Sequence, residues 1–212
     1  MNNIFKELSS YKIIPVIIID DEKNSLPLAN ALIEGGLPVA EITFRTKAAG
    51  EAIRNIAKNF PNMLLGAGTV LTIDQVKFAV DAGSKFIVSP GLNPKVVEFC
   101  IQNNITITPG VATPTEIERA LEFDLEVLKF FPAEALGGLN YLKAISAPFP
   151  KLKFIPTGGI DEKNILNYLQ FSKVIACGGS WMVKSELITN KKFEEIKNLT
   201  LRALNIVKQI NK

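Results

Sequence analysis

Short apolar runs alternate along this chain with longer segments in which apolar residues recur every three or four positions. The runs lie at 13–19, 39–44, 63–68, 85–90, 105–110, 125–132, 152–159 and 174–179. Their length and β-branched content predict strands. The intervening periodicity predicts helices over 26–33, 48–57, 73–80, 94–101, 114–121, 139–145 and 164–169, with a last one over 193–210. Ile4, Phe5 and Leu8 give the first residues the spacing of a short amphipathic helix. Thr72 and Thr113, each followed three positions on by Gln75 or Glu116, read as helix starts. Gly35, Gly36 and Gly83 read as exits.

Strand followed by helix, repeated through the chain, predicts a parallel sheet. Eight such units without a compositional break predict an α/β protein of one domain over 1–212: a (β/α)8 TIM barrel with a short N-terminal helix. A doubly wound open sheet gives the same local pattern and is the rival. It would carry Gly-x-Gly-x-x-Gly after the first strand, where this chain has Ile19-Asp-Asp-Glu-Lys-Asn-Ser-Leu26 instead.

Composition narrows the chemistry. With 47% hydrophobic and 21% charged residues the chain matches a folded, soluble protein. The net charge of +3 is dispersed, so no basic stripe invites nucleic acid. Histidine is absent. Imidazole acid–base catalysis, Ser-His triads and His-ligated zinc therefore drop out. Cys100 and Cys177 lack metal-ligand spacing and read as small buried hydrophobes. No basic segment followed by an apolar one opens the chain, and no apolar run approaches the ~20 residues of a membrane span. A cytoplasmic protein with no membrane partner is expected.

Polar residues stand where strands should be apolar. In the second run Ala40, Ile42 and Phe44 share the face that suits the helices, which puts Glu41, Thr43 and Arg45 in the lumen. A lumen carboxylate is costly unless paired or used. One reading is a structural Glu41–Arg45 ion pair; the other is a catalytic group near the strand ends where barrel sites are built. Lys129, in the sixth run, shares the lumen register with Val127 and Phe131. It is either a snorkelling surface lysine or a desolvated amine, and an uncharged amine can condense with a ketone. The last strands end in Pro156-Thr-Gly-Gly159 and Cys177-Gly-Gly-Ser180. Each Gly-Gly pair alone reads as a tight turn; two together, each leading into a helical pattern, suit a phosphate or similar anion.

These segments carry a resemblance. Gly36-Leu-Pro-Val-Ala-Glu41-Ile-Thr-Phe-Arg45, Gly66-Ala-Gly-Thr69, Ser89-Pro90-Gly91, Leu128-Lys129-Phe-Phe-Pro-Ala-Glu134, Pro156-Thr-Gly-Gly-Ile160 and Gly178-Gly-Ser-Trp181 occur in this order along the chain. The sequence resembles the class I 2-keto-3-deoxy-6-phosphogluconate (KDPG) and 4-hydroxy-2-oxoglutarate (KHG) aldolases. The resemblance implies a lyase without metal or other cofactor that splits KDPG reversibly into pyruvate and glyceraldehyde 3-phosphate. It gives Lys129 the Schiff base and Glu41 the proton transfers. Arg45 and Thr69 would hold the pyruvoyl carboxylate, with Pro90 and Phe131 on the pocket wall. Thr157 would contact substrate near the cleaved bond, and Gly158, Gly159, Gly179 and Ser180 would hold the phosphate. The family implies a homotrimer. KHG and the 6-phosphogalactonate analogue stay open as substrates, because the pyruvoyl half is common to all three. A distant alternative is a barrel that binds a phosphorylated ligand without catalysis. Trp181 reads as packing at the rim, and Phe130 as core on the helix side.

Overall fold

The computed structural model describes residues 1–211. Its strands are β1 (Ile13–Ile17), β2 (Val39–Thr43), β3 (Leu64–Gly68), β4 (Phe86–Val88), β5 (Thr106–Thr108), β6 (Gly110–Val111), β7 (Val127–Phe130), β8 (Lys153–Pro156) and β9 (Cys177–Gly179). The helices are α1 (Asn3–Tyr11), α2 (Ser25–Glu34), α3 (Ala49–Asn59), α4 (Ile73–Asp81), α5 (Pro94–Gln102), α6 (Pro114–Leu121), α7 (Gly138–Ser146), α8 (Ile165–Leu169), α9 (Ser185–Thr189) and α10 (Phe193–Val207).

Every strand pairing is parallel, in the orders β5-β4-β3-β2-β1-β9 and β6-β7-β8. Two seams join these sheets into a closed wall. At one, Pro109 has no N–H and interrupts the fifth apolar run. The residues before it pair with β4 and those after it with β7, while the Lys129 N–H donates to the Pro109 carbonyl at 2.9 Å. The single strand expected over 105–110 is therefore two short ones sharing one wall position. At the other seam Phe154 bridges to Val174 and Thr157 to Gly178. β9 thus touches both β1 and β8, which excludes the open sheet. The fold is a (β/α)8 barrel.

The observed helices follow the expected ones closely, because their ends carry the expected chemistry. Thr72 accepts the Gln75 N–H, and Thr113 with Glu116 forms a complete capping box. The last helix is shorter than expected: α10 stops at Val207 and a 3-10 turn covers Lys208–Asn211. The sequence reading missed α9, whose only apolar residues, Leu187 and Ile188, are adjacent and show no spacing of three or four, unlike the equally short α8. Side chains facing the helices form the outer core. Phe130 is fully buried with its ring 6.1 Å from that of Tyr141 on α7, and Phe44 meets Phe78 of α4 edge to face.

α1 lies across the N-terminal mouth of the barrel. Asn2 Nδ2 donates to Thr106 Oγ1 at 3.0 Å, and the Met1 amine meets Glu126 at 2.7 Å, both at the starts of strands. The opposite, C-terminal mouth is left for chemistry. Among the described residues no helix is long and apolar enough to cross a membrane.

Candidate active site

Lys129 and Glu41 meet inside the barrel. β2 and β7 stand four strand positions apart in either direction round the wall, so their inward side chains reach toward each other across the lumen. Glu41 pairs in register with Val16 and Gly66, and Lys129 with Gly110 and Ile155. The Lys129 Nζ donates to Glu41 Oε1 at 3.3 Å; the two residues are 6% and 3% exposed. Such a pair is tolerable in the interior only because each charge has the other as partner. The Lys129 ammonium also sits 5.2 Å from the centroid of the Phe131 ring. Gly68, on the neighbouring strand, makes room for the acid: a Cβ there would come within 2.2 Å of Glu41 Oε1.

The structural reading of Glu41, an ion pair with Arg45, is corrected: Glu41 pairs with Lys129. β2 ends at Thr43, so the alternation that put Arg45 in the lumen does not extend to it. Arg45 sits in the following turn, exposed, with no ion pair among the described residues. It lines a cavity of about 320 Å³ at the C-terminal mouth. Phe131, Thr157, Gly158, Gly159, Gly179 and Ser180 line the same cavity. Glu41 and Lys129 do not lie on its wall, but Phe131 connects them to it. Thr69 and Pro90 are placed elsewhere. Thr69 follows β3 in a left-handed conformation (φ 55°), and Pro90 is half-buried after β4; neither lines the cavity.

Two features of the cavity suit a polar ligand. The Thr157 hydroxyl is buried and has no hydrogen-bond partner among the described residues. Such a group costs free energy unless something fills its bonding capacity. At the glycine end, Gly158 and Gly159 have φ values of 102° and 80°, a backbone path that excludes ordinary side chains. The N–H groups of Gly159 and Ile160 donate to no protein acceptor among the described residues, and both residues line the cavity. Consecutive unpaired N–H groups make an anion-binding concavity.

The sequence reading missed several wall residues. Thr43, expected in the lumen but given no role, lines the cavity with its hydroxyl tied to the Ile17 carbonyl at 2.8 Å; Lys184, which was missed, adds a second cation beside Arg45, and no carboxylate lines it among the described residues. Lys184 stands at the start of the short, unpredicted α9, so nothing in the sequence placed it here. Thr108, off this cavity wall, is likewise buried without a hydrogen-bond partner among the described residues. Among the described residues no three His, Cys, Asp or Glu side chains gather as a metal site.

Residues 4–199 match the family described as KDPG and KHG aldolase. The chain belongs to this aldolase family. A KDPG aldolase of Legionella pneumophila, solved with pyruvate captured as a covalent carbinolamine, superposes with a TM-score of 0.91 at 40% identity, covering 95% of this chain and 98% of that one. A 2-dehydro-3-deoxy-phosphogluconate aldolase of Haemophilus influenzae is 48% identical over 205 residues, 97% of each chain. One of the same name from Treponema pallidum is 46% identical over 98% of this chain and 99% of its own. Aldolase family membership thus extends over the lumen pair and the glycine-rich mouth alike. Trp181 in this aldolase packs its ring over Gly179, as expected of the rim, although its buried Nε1 has no partner.

Proposed function

We propose that this family member is a Schiff-base aldolase that reversibly cleaves KDPG to pyruvate and glyceraldehyde 3-phosphate. The observation that carries the reading is the buried contact between Lys129 and Glu41. An amine 3.3 Å from a carboxylate can hand over a proton and attack. Lys129 Nζ adds to the C2 ketone, and Glu41 protonates the carbinolamine hydroxyl so that it leaves as water. The resulting iminium accepts the electron pair of the C3–C4 bond, while Glu41, through a water, removes the C4 hydroxyl proton. Glyceraldehyde 3-phosphate departs, the enamine takes a proton at C3, and water releases pyruvate from Lys129. No metal enters any of these steps.

Recognition divides between the two ends of the cavity. Arg45 clamps the carboxylate with its planar fork, and Thr69, off this cavity just past β3, assists where the carboxylate reaches toward the lumen pair. Phe131 shapes the cavity wall beside the imine, Pro90 stands off that wall at the end of β4, and Thr157 meets the hydroxyls near the cleaved bond. Gly158, Gly159, Gly179 and Ser180 take the phosphate. The open N–H groups at that end support the phosphorylated substrate over KHG, although the lumen pair would serve either.

The reading includes a homotrimer of one-domain chains working in the cytoplasm. The exposed apolar side chains Leu71, Phe78 and Val80 on and before α4 offer a face for a neighbouring copy. Sedimentation at micromolar concentration tests it: three times 23.2 kDa is expected, and a monomer removes it.

The chemistry is tested by reducing the protein with borohydride in the presence of pyruvate and mapping the adduct by mass spectrometry. Modification of the Lys129 peptide is expected; an unmodified Lys129 refutes the mechanism. Comparing kcat/KM for KDPG, its galactonate epimer and KHG ranks the substrates.

A further inference from the structure

The glycine loop that would take the phosphate is held from behind by two side chains of one short helical segment. Asn164, at the N-cap of α8, donates from Nδ2 to the Gly159 carbonyl at 3.0 Å and accepts the Asp161 N–H at 2.9 Å on Oδ1. It therefore ties both sides of the bend between Gly159 and Asp161. Four residues on, the Tyr168 hydroxyl bonds the Glu134 carboxylate. The Glu134 backbone N–H in turn donates to the Gly158 carbonyl at 3.0 Å, and a Cβ on Gly159 would come within 2.6 Å of Glu134 Cβ.

Peptide planarity turns these outer bonds into an inner geometry. A trans peptide points its C=O and its N–H in opposite directions. Fixing the Gly158 carbonyl toward Glu134 fixes the Gly159 N–H away from it. Fixing the Gly159 carbonyl toward Asn164 does the same for the Ile160 N–H. Neither of these N–H groups has a protein acceptor among the described residues, and both residues line the substrate cavity. Glu134, Asn164 and Tyr168 line a separate hollow of about 540 Å³ behind the loop, and none of the three lines the substrate cavity. They act through the loop.

We propose that Asn164 and the Tyr168–Glu134 pair are positioning residues for phosphate recognition, aiming the Gly159 and Ile160 N–H groups at the distal anion of the substrate. This deepens the KDPG reading above and rests on it. The geometry sets apart the two halves of the substrate: the lumen pair and Arg45 owe nothing to α8.

The test uses Asn164→Ala and Tyr168→Phe in the full-length protein, with inorganic phosphate as the probe. In the parent, phosphate inhibits KDPG cleavage competitively. In each variant the inhibition constant for phosphate and the KM for KDPG rise about tenfold, the worth of one misdirected charge-assisted hydrogen bond. Turnover of KHG and borohydride trapping of pyruvate stay at the parent level. Equal losses on KDPG and KHG would mean that the two side chains only hold the fold together, and overturn the proposal. Unchanged phosphate inhibition in both variants overturns it as well, with the KDPG reading intact. A parent indifferent to phosphate and without preference for KDPG over KHG sinks the KDPG reading and the proposal with it. Should Asn164→Ala fold poorly, Tyr168→Phe, which keeps the buried ring, decides alone.

Discussion

Lys129 and Glu41 are 88 residues apart in the chain and 3.3 Å apart across the lumen. Each strand supplies one charged side chain to the buried lumen, and each charge is tolerable because of the other. Replacing Glu41 by Gln keeps the shape and a hydrogen-bond acceptor but removes the base. Turnover should fall by about 10²–10⁴-fold, the usual contribution of general acid–base catalysis. Pyruvate binding, measured by its inhibition constant, should hold within a few-fold. Near-parental turnover would take Glu41 out of the mechanism.

Gly68 tests the same pair without touching either member. A methyl group there lands on the Glu41 carboxylate, with contacts of 2.2 Å to Oε1 and 2.7 Å to Cγ. Since the acid is the part able to move, Gly68→Ala should swing it away from Lys129. A loss in kcat of about 10²-fold is expected from such a misplacement, with thermal denaturation showing a folded protein. Parental kcat in a folded Gly68→Ala would show that the separation of acid and amine is not critical.

Thr157→Val replaces a buried, unpartnered hydroxyl by a methyl of the same shape. In most proteins losing a buried hydroxyl costs stability, because a partner is left bare; here no partner exists to be left. The melting temperature should be unchanged or higher, while kcat/KM for KDPG falls at least tenfold. A clear drop in melting temperature without loss of activity would make the hydroxyl structural.

Both thiols should be silent in the native state. Burial pushes Cys100 from 9.0 up to about 12, and Cys177, deeper still, also rises. Each folded thiol holds its proton more tightly than the unfolded one. Its contribution to stability is therefore complete below pH 9 and is lost as pH climbs through the folded value. A thiol-specific reagent at pH 8 should label neither residue until guanidinium unfolds the chain. Rapid labelling of the native protein at pH 8 would contradict the burial.

The barrel was legible because its signals are local and repeated: eight apolar runs, Thr72 and Thr113 as caps, glycines at helix exits. The lumen face of Lys129 and Glu41 followed from a period of two in strands covered on both sides. Arg45 shows where that period stops being informative. Alternation holds only inside a strand, and nothing in Ile42-Thr43-Phe44-Arg45 marks the pairing as ending at Thr43. Pro109 shows the converse, since its missing N–H could have announced the split of the fifth strand. The grip of Asn164 and Tyr168 on the glycine loop was invisible for a different reason. It joins residues 5 and 34 positions apart through a turn and a helix, and neither side chain is an unusual residue for a helix start or a buried helix face.

That Arg45 stands outside the strand has a consequence for how this scaffold can change. The amine and acid are set in the wall, where a shift of one position would unseat a whole ladder of backbone bonds. The guanidinium rides on a turn, and Lys184 on the approach to a five-residue helix. The grip on the carboxylate should therefore change by rewriting the turn after β2, and new acceptor aldehydes be reached through the turn after β9, leaving the bond-breaking apparatus as it is. A selection for altered substrates on this chain would collect its substitutions in those turns and spare the lumen.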